Sequence, residues 1–147
     1  MNTQFNKIPI FFRFEDLRIY NKALDYAIWM QHNFNDIQNI KNDSFINRFN
    51  SIARQIPIHI AEGSAFSKVQ FIEQLKYAKS AVRECLVLTT IAEKCSYFSK
   101  NQEADSRNQL MEMTKMLGAL ITSLQKTGEN NHESAYEEET TLHNKSW

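Results

Sequence analysis

Glycine and proline are scarce here, with three glycines and two prolines in 147 residues. A β-sandwich or an α/β fold needs more of both for its turns, so their scarcity points to helices. Cysteine is limited to Cys85 and Cys95. Both fall in one predicted helix, about 15 Å apart along its axis. A disulfide needs Cα atoms within about 7 Å, so the two cannot pair within one chain. Long apolar runs are missing, and nothing approaches the roughly 18 residues of a membrane span. The opening MNTQFNKIPIFF has no long apolar core followed by a small-residue cleavage site, so no signal peptide is expected. These absences together predict a reduced, cytoplasmic protein. Cys85 is then a small core residue and not a nucleophile.

A charge of one sign is missing as well. Lys and Arg total 17 and so do Asp and Glu, which excludes a bulk polycation or polyanion. The zero is not uniform. Residues 1–127 carry 16 basic and 12 acidic side chains, a body of +4. Residues 128–147 carry one lysine and five glutamates, a tail of −4. That tail is polar and lacks apolar periodicity, which predicts little order. It is read either as a frayed terminus or as a segment that shields the body from an anionic partner. The domain plan is an extension over 1–13, a bundle over 14–127 and the acidic tail over 128–147.

Hydrophobic residues make up 42% of the chain, enough for one buried core. They recur at three- and four-residue steps in four segments. The first predicted helix runs from about Phe14 to Ile37, with Glu15 and Asp16 in its first turn. One stripe is Leu17, Tyr20, Leu24, Ala27, Gln31 and Phe34; a second set, Ile19, Ala23, Tyr26, Trp29 and Met30, widens the arc. The second helix follows Asp43 or Ser44 as cap. It carries Phe45, Phe49, Ile52, Ile56 and Ile60, with a bend expected at Pro57 and a stop at Gly63. Ser67 caps a third helix over Lys68 to Tyr97, with the stripe Phe71, Leu75, Ala78, Val82, Cys85, Thr89 and Ala92. A fourth helix, from about Glu103 to Lys126, has the seam Leu110, Met113, Leu117, Leu120 and Leu124. Four long helices on short connections predict an all-α, up-down-up-down four-helix bundle.

Several candidate sites can be weighed from residue type and spacing. Glu62 beside Gly63 is read as a capping or inter-helix carboxylate, with Arg54, Lys79 and Arg83 as available partners. His59 and Glu62 share a helix face, but a carboxylate-bridged metal site in a bundle needs Glu-x-x-His. The order here is reversed, and the one Glu-x-x-His, Glu129 to His132, falls in the tail. His32 has no such partner. No metal and no cofactor are expected. No serine sits in a glycine elbow. The reading is therefore non-enzymatic, with an enzyme of unrecognised site as the alternative. Lys76, Lys79 and Arg83 fall at i, i+3 and i+7 on one stripe of the third helix. Such a row suits phosphate binding, because each neutralised phosphate releases counterions. The more ordinary reading of such a row is a solvated face with Glu73 paired to Lys76.

The segment Ile56-Pro57-Ile58-His59-Ile60-Ala61-Glu62-Gly63 resembles a family signature, roughly S-I-P-x-N-I-A-E-G. That family is the four-helix-bundle group named for proteins encoded in 23S rRNA intervening sequences. Phe14-Glu15-Asp16-Leu17 with Lys22-Ala23 is similar to its opening pattern, and Phe71, Leu75, Ala78 and Glu84 to a later one. Within the signature Pro57, Ile60, Ala61, Glu62 and Gly63 match. His59 stands for its asparagine, Gln55 and Ala81 for serines, and Asn50 and Ser51 for arginines. The resemblance implies a ring-shaped homopentamer. It also implies a relation to the accessory variability protein of diversity-generating retroelements, which binds a reverse transcriptase and nucleic acid. The expected partners are accordingly a second copy of this chain, RNA or DNA, and a reverse transcriptase, with no membrane. The chain is expected to act as an oligomeric scaffold or accessory protein.

Overall fold

The computed structural model describes residues 11–35 and 42–129. A short 3-10 turn, Arg13–Asp16, precedes four helices: α1 (Arg18–Asn33), α2 (Ser44–Gly63), α3 (Lys68–Lys94) and α4 (Lys100–Glu129). Each helix packs on the next, and α4 closes back on α1. The all-α four-helix bundle expected from the stripes is the fold. Residues 1–10, most of the α1–α2 connection and the tail beyond Glu129 lie outside the described residues. No helix is long and apolar enough to cross a membrane among the described residues.

The helix ends differ from expectation in ways the local chemistry explains. Glu15 and Asp16 belong to the 3-10 turn, not to α1. Leu17 is extended (ψ 125°), so α1 starts at Arg18. Asn21 Nδ2 donates to the carbonyls of Glu15 and Leu17 and stitches the turn onto the helix. The third helix stops at Lys94, short of Tyr97, because Ser96 takes a left-handed φ of 66°. The amides of Tyr97 and Phe98 both donate back to the Ala92 carbonyl. The fourth helix starts earlier than expected. Ser99 Oγ accepts from the Gln102 amide at 3.1 Å, and Gln102 Oε1 accepts from the Ser99 amide at 2.8 Å. That reciprocal pair is a capping box. The second helix runs unbroken through Pro57, which is buried.

The core is continuous along the bundle. On α3 the expected stripe is buried from Leu75 to Ala92, with Phe71 half-buried at its start. On α1 the second set, Ile19, Ala23, Tyr26 and Met30, faces the core together with Ala27 and Phe34, whereas Leu24 and Gln31 are exposed. An apolar arc this wide leaves its facing direction open until α2 and α4 are in place. A polar cluster crosses the core. Tyr26 Oη and Thr89 Oγ1 each lie within hydrogen-bond distance of Ser106 Oγ, at 2.8 and 2.7 Å. Thr89 also donates to the Cys85 carbonyl. The cluster links α1, α3 and α4 and satisfies groups that would otherwise be costly to bury. Burial pushes both the Tyr26 phenol and the Cys85 thiol well above their ordinary values. Cys85 is thus an inert core residue, while Cys95 is exposed.

Asp43 is the cap of α2 and also ties that helix to the α3–α4 turn. Its Oδ1 accepts from the Ile46 amide at 3.0 Å and its Oδ2 from the Tyr97 hydroxyl at 2.7 Å. These two donors, the amide foremost, hold its carboxyl below the usual value. A depressed carboxylate contributes stability above its unfolded pKa of about 3.9, and that contribution is lost as pH falls through the folded value. Melting temperatures of wild type should therefore fall faster below about pH 4 than those of Asp43→Asn, which can still cap but does not titrate. Parallel acid slopes in circular-dichroism melts would show that the bonds to Asp43 do not act through its charge.

Candidate nucleic-acid interface

The residues that match the signature lie on the α2 side of the α2–α3 seam. Pro57, Ile60 and Gly63 are buried, Ala61 is half-buried and Glu62 is exposed. His59 Nδ1 donates to Gln74 Oε1 at 2.9 Å, and its ring lies 5.7 Å from that of Tyr77. Gly63 is not left-handed, since no glycine among the described residues has positive φ. Its small size answers a different need. A Cβ there would lie 2.7 Å from Gln74 Cβ and 2.9 Å from Phe71 Cδ1. The segment is therefore a docking element for α3. Glu62 is exposed at the end of α2. An exposed carboxylate at a helix end is solvated and needs no partner.

The basic row on α3 is only partly a surface. Lys76 is 8% exposed, and its burial lowers the pKa of its ammonium, partly offset by Glu73. A side chain so covered offers a phosphate little surface. Helical spacing gave its direction correctly, but direction does not show how deeply a position sinks. Asn50 is similarly covered.

Lys79 and Arg83 do reach a surface feature. Together with Arg107 and Lys115 of α4 they line a groove of about 480 Å³ between the two helices. Val82, Leu86, Leu110 and Met111 form its apolar lining, and no Asp or Glu among the described residues lines it. The helices run antiparallel, as the Glu93–Lys100 and Thr89–Ser106 contacts fix. Lys115 is thereby level with the stretch between Lys79 and Arg83, and Arg107 sits near the far end. Arg107 is held in place: its Nη2 donates to Thr90 Oγ1 at 2.7 Å, and its Nε lies 3.6 Å from Glu103 Oε2. From Arg107 to Lys115 the helix rises about 12 Å. Sequence reading missed the two α4 cations. Their signal was two basic residues eight apart, on one helix face, whose partners become visible only through the register of α4 on α3. No group of three or more His, Cys, Asp and Glu able to hold a metal occurs among the described residues.

The comparisons agree with this architecture. The model of the 23S rRNA-intervening sequence protein family matches residues 15–119. The chain also resembles a solved structure, a protein with unknown function from the S23 ribosomal protein family of Bacteroides thetaiotaomicron. The TM-score is 0.66 at 20% identity, over 71% of this chain and 95% of that one. At that identity the likeness speaks for the fold alone. No curated protein matches the chain significantly. Matching most of the chain, including the Ile56–Gly63 docking segment and both walls of the basic groove, the family model places it: the chain belongs to the 23S rRNA-intervening sequence protein family.

Proposed function

We propose that the protein is a non-enzymatic, homo-oligomeric helical scaffold that binds the phosphate backbone of structured RNA or duplex DNA along the α3–α4 groove. One observation carries this reading: Lys79, Arg83, Arg107 and Lys115 converge on a groove that no carboxylate among the described residues lines. Binding of this kind is electrostatic and largely independent of sequence. No aromatic side chain among the described residues lines the groove, so stacking on unpaired bases contributes little and duplex regions are preferred over single strands. Support for self-association comes from apolar residues left outward, Leu24 and Ile28 on α1 and Val87 and Ile91 on α3. A ring of copies would repeat the groove and raise avidity without new contacts. The number five and a reverse-transcriptase partner are carried by the resemblance of the Ile56–Gly63 segment, and a retroelement accessory role is one setting for such a scaffold.

The test is binding of a labelled RNA duplex by the full chain at several salt concentrations. Changing Lys79, Arg83, Arg107 and Lys115 together to alanine should weaken binding and lower the salt slope by about one unit for each phosphate left without its cation. Lys76→Met should change both quantities far less, because only 8% of that residue is exposed. A quadruple variant that binds like wild type with the same salt slope refutes the groove. Sedimentation that gives only the mass of a single chain at micromolar concentration refutes the oligomer.

A further inference from the structure

The groove is matched in charge by a segment of its own chain. Residues 128–147 carry five glutamates and one lysine, and three of the glutamates, Glu137, Glu138 and Glu139, are consecutive. The last turn of α4 ends at Glu129, which sets the distances that the segment has to cover. Lys115 lies about 21 Å back along it and Arg107 about 33 Å back. An extended chain covers about 3.3 Å per residue. The 18 residues that follow Glu129 can span about 60 Å when extended, so even after a reversal of direction they are long enough to reach both cations.

A path also exists. A shallow depression of about 500 Å³ on the C-terminal half of α4 is lined by Gly118, Ala119, Thr122 and Lys126, among others. These positions continue the groove face at three- and four-residue steps toward the chain end. Gly118 has open space where a Cβ would be, with nothing within 4 Å. The depression has no Asp or Glu of the described residues in its lining.

From this match of charge, reach and path we infer that the acidic C-terminal segment docks in the α3–α4 groove as an internal polyanion and competes with external ones. The inference rests on the reading of that groove as an anion site, and it adds a regulator. Displacement of the tail then becomes the step that a weak or isolated phosphate contact cannot drive, whereas a long duplex can. The competition weakens with salt, since both contestants are held by screened charge.

The test uses the full chain, unaltered and with Glu133, Glu137, Glu138 and Glu139 changed to glutamine. All four positions lie beyond α4, and matching circular dichroism confirms an intact bundle. Anisotropy of a labelled RNA duplex is read at low salt. A short tether gives an effective concentration of about 1 mM, so a tail that binds with a dissociation constant of about 0.1 mM lowers duplex affinity roughly tenfold. The glutamine variant should bind about that much more tightly, with the difference shrinking as salt rises. In a second arm a labelled peptide of residues 130–147 is titrated with the glutamine variant. It should bind, and binding should vanish when Lys79, Arg83, Arg107 and Lys115 are also changed to alanine. Equal duplex affinity of the two chains overturns the docking while leaving the groove as a nucleic-acid site. A peptide that does not bind, or that binds the alanine variant equally well, overturns it too. Peptide binding that needs the four cations, with no duplex binding by either chain, upholds the docking and removes the nucleic-acid reading instead.

Discussion

Gly63→Ala should destabilise the protein, against the ordinary preference of helices for alanine. Gly63 lies inside the last turn of α2, where a glycine usually costs about 0.5–1 kcal/mol relative to alanine. The added methyl would meet Gln74 Cβ at 2.7 Å and Phe71 Cδ1 at 2.9 Å. The first of these atoms is bonded directly to the α3 backbone and cannot swing away. Relief requires α2 and α3 to separate, and overpacking of this kind costs about 1–3 kcal/mol. The clash should exceed the gain in helix propensity, leaving a net loss of about 1–2 kcal/mol by the same reasoning. Larger side chains should lose more. Gly118→Ala is the matched control. It sits mid-helix in α4 with nothing within 4 Å of the new methyl, so it should gain up to about 1 kcal/mol. Denaturant titrations of the two variants should move in opposite directions. Gln74→Gly in the Gly63→Ala background removes the blocking Cβ, so the double variant should lose less than the two single losses added together. Additive losses would mean that the close approach of α2 to α3 is not what Gly63 serves.

The same residue shows what can and cannot be read from the sequence alone. That α2 ends at Gly63 was legible, because glycine commonly follows a helix. The reason was not, because a helical glycine pressed on a neighbour and a left-handed glycine look alike in one dimension. The end of α3 illustrates the converse. A left-handed residue does stop that helix, but it is Ser96, and no glycine marks it. The start of α4 was written in plain form as Ser99-x-x-Gln102, a capping box that apolar periodicity passes over because it carries no apolar residue.

For the candidate site the limit is depth and register. Spacing places Lys76, Lys79 and Arg83 on one stripe, and they are on one stripe. Whether each is covered depends on what lies opposite, and Lys76 is covered while Arg83 is not. The other half of the groove, Arg107 and Lys115, is set by the alignment of Thr90 with Arg107 across the α3–α4 interface. A single helix wheel holds no information about that alignment. The signature that carries the family resemblance is likewise silent about the groove, since its residues lie on α2 and serve the seam with α3.

Phe34→Ala should be among the most damaging single changes in the chain. Phe34 caps the end of α1 and is fully buried. Its ring centroid lies 5.2 Å from that of Phe98, 5.8 Å from Phe49 and 6.3 Å from Tyr97. Those rings belong to α2 and to the α3–α4 turn, so one side chain joins three parts of the fold at one end of the bundle. Trp29 extends the cluster through Phe98, and Phe45 through Tyr97. Removing a buried phenyl ring costs about 3–5 kcal/mol in transfer energy and cavity formation. The edge-to-face and stacked contacts make the upper part of that range the expected one, since such pairs add about 0.5–1.5 kcal/mol beyond burial. At about 4 °C per kcal/mol for a domain of this size, the melting temperature should drop by roughly 16–20 °C. Phe34→Leu keeps most of the volume and should lose much less. Phe66→Ala, at a ring that is 55% exposed, should change stability by no more than about 0.5 kcal/mol. The Phe34 cluster also meets the Asp43–Tyr97 hydrogen bond, so its loss should loosen the cap of α2. Hydrogen exchange in Phe34→Ala should then quicken first at Phe45 and Ile46, before the α3–α4 groove is disturbed. Uniform quickening across all four helices would show instead that the bundle opens only as a whole.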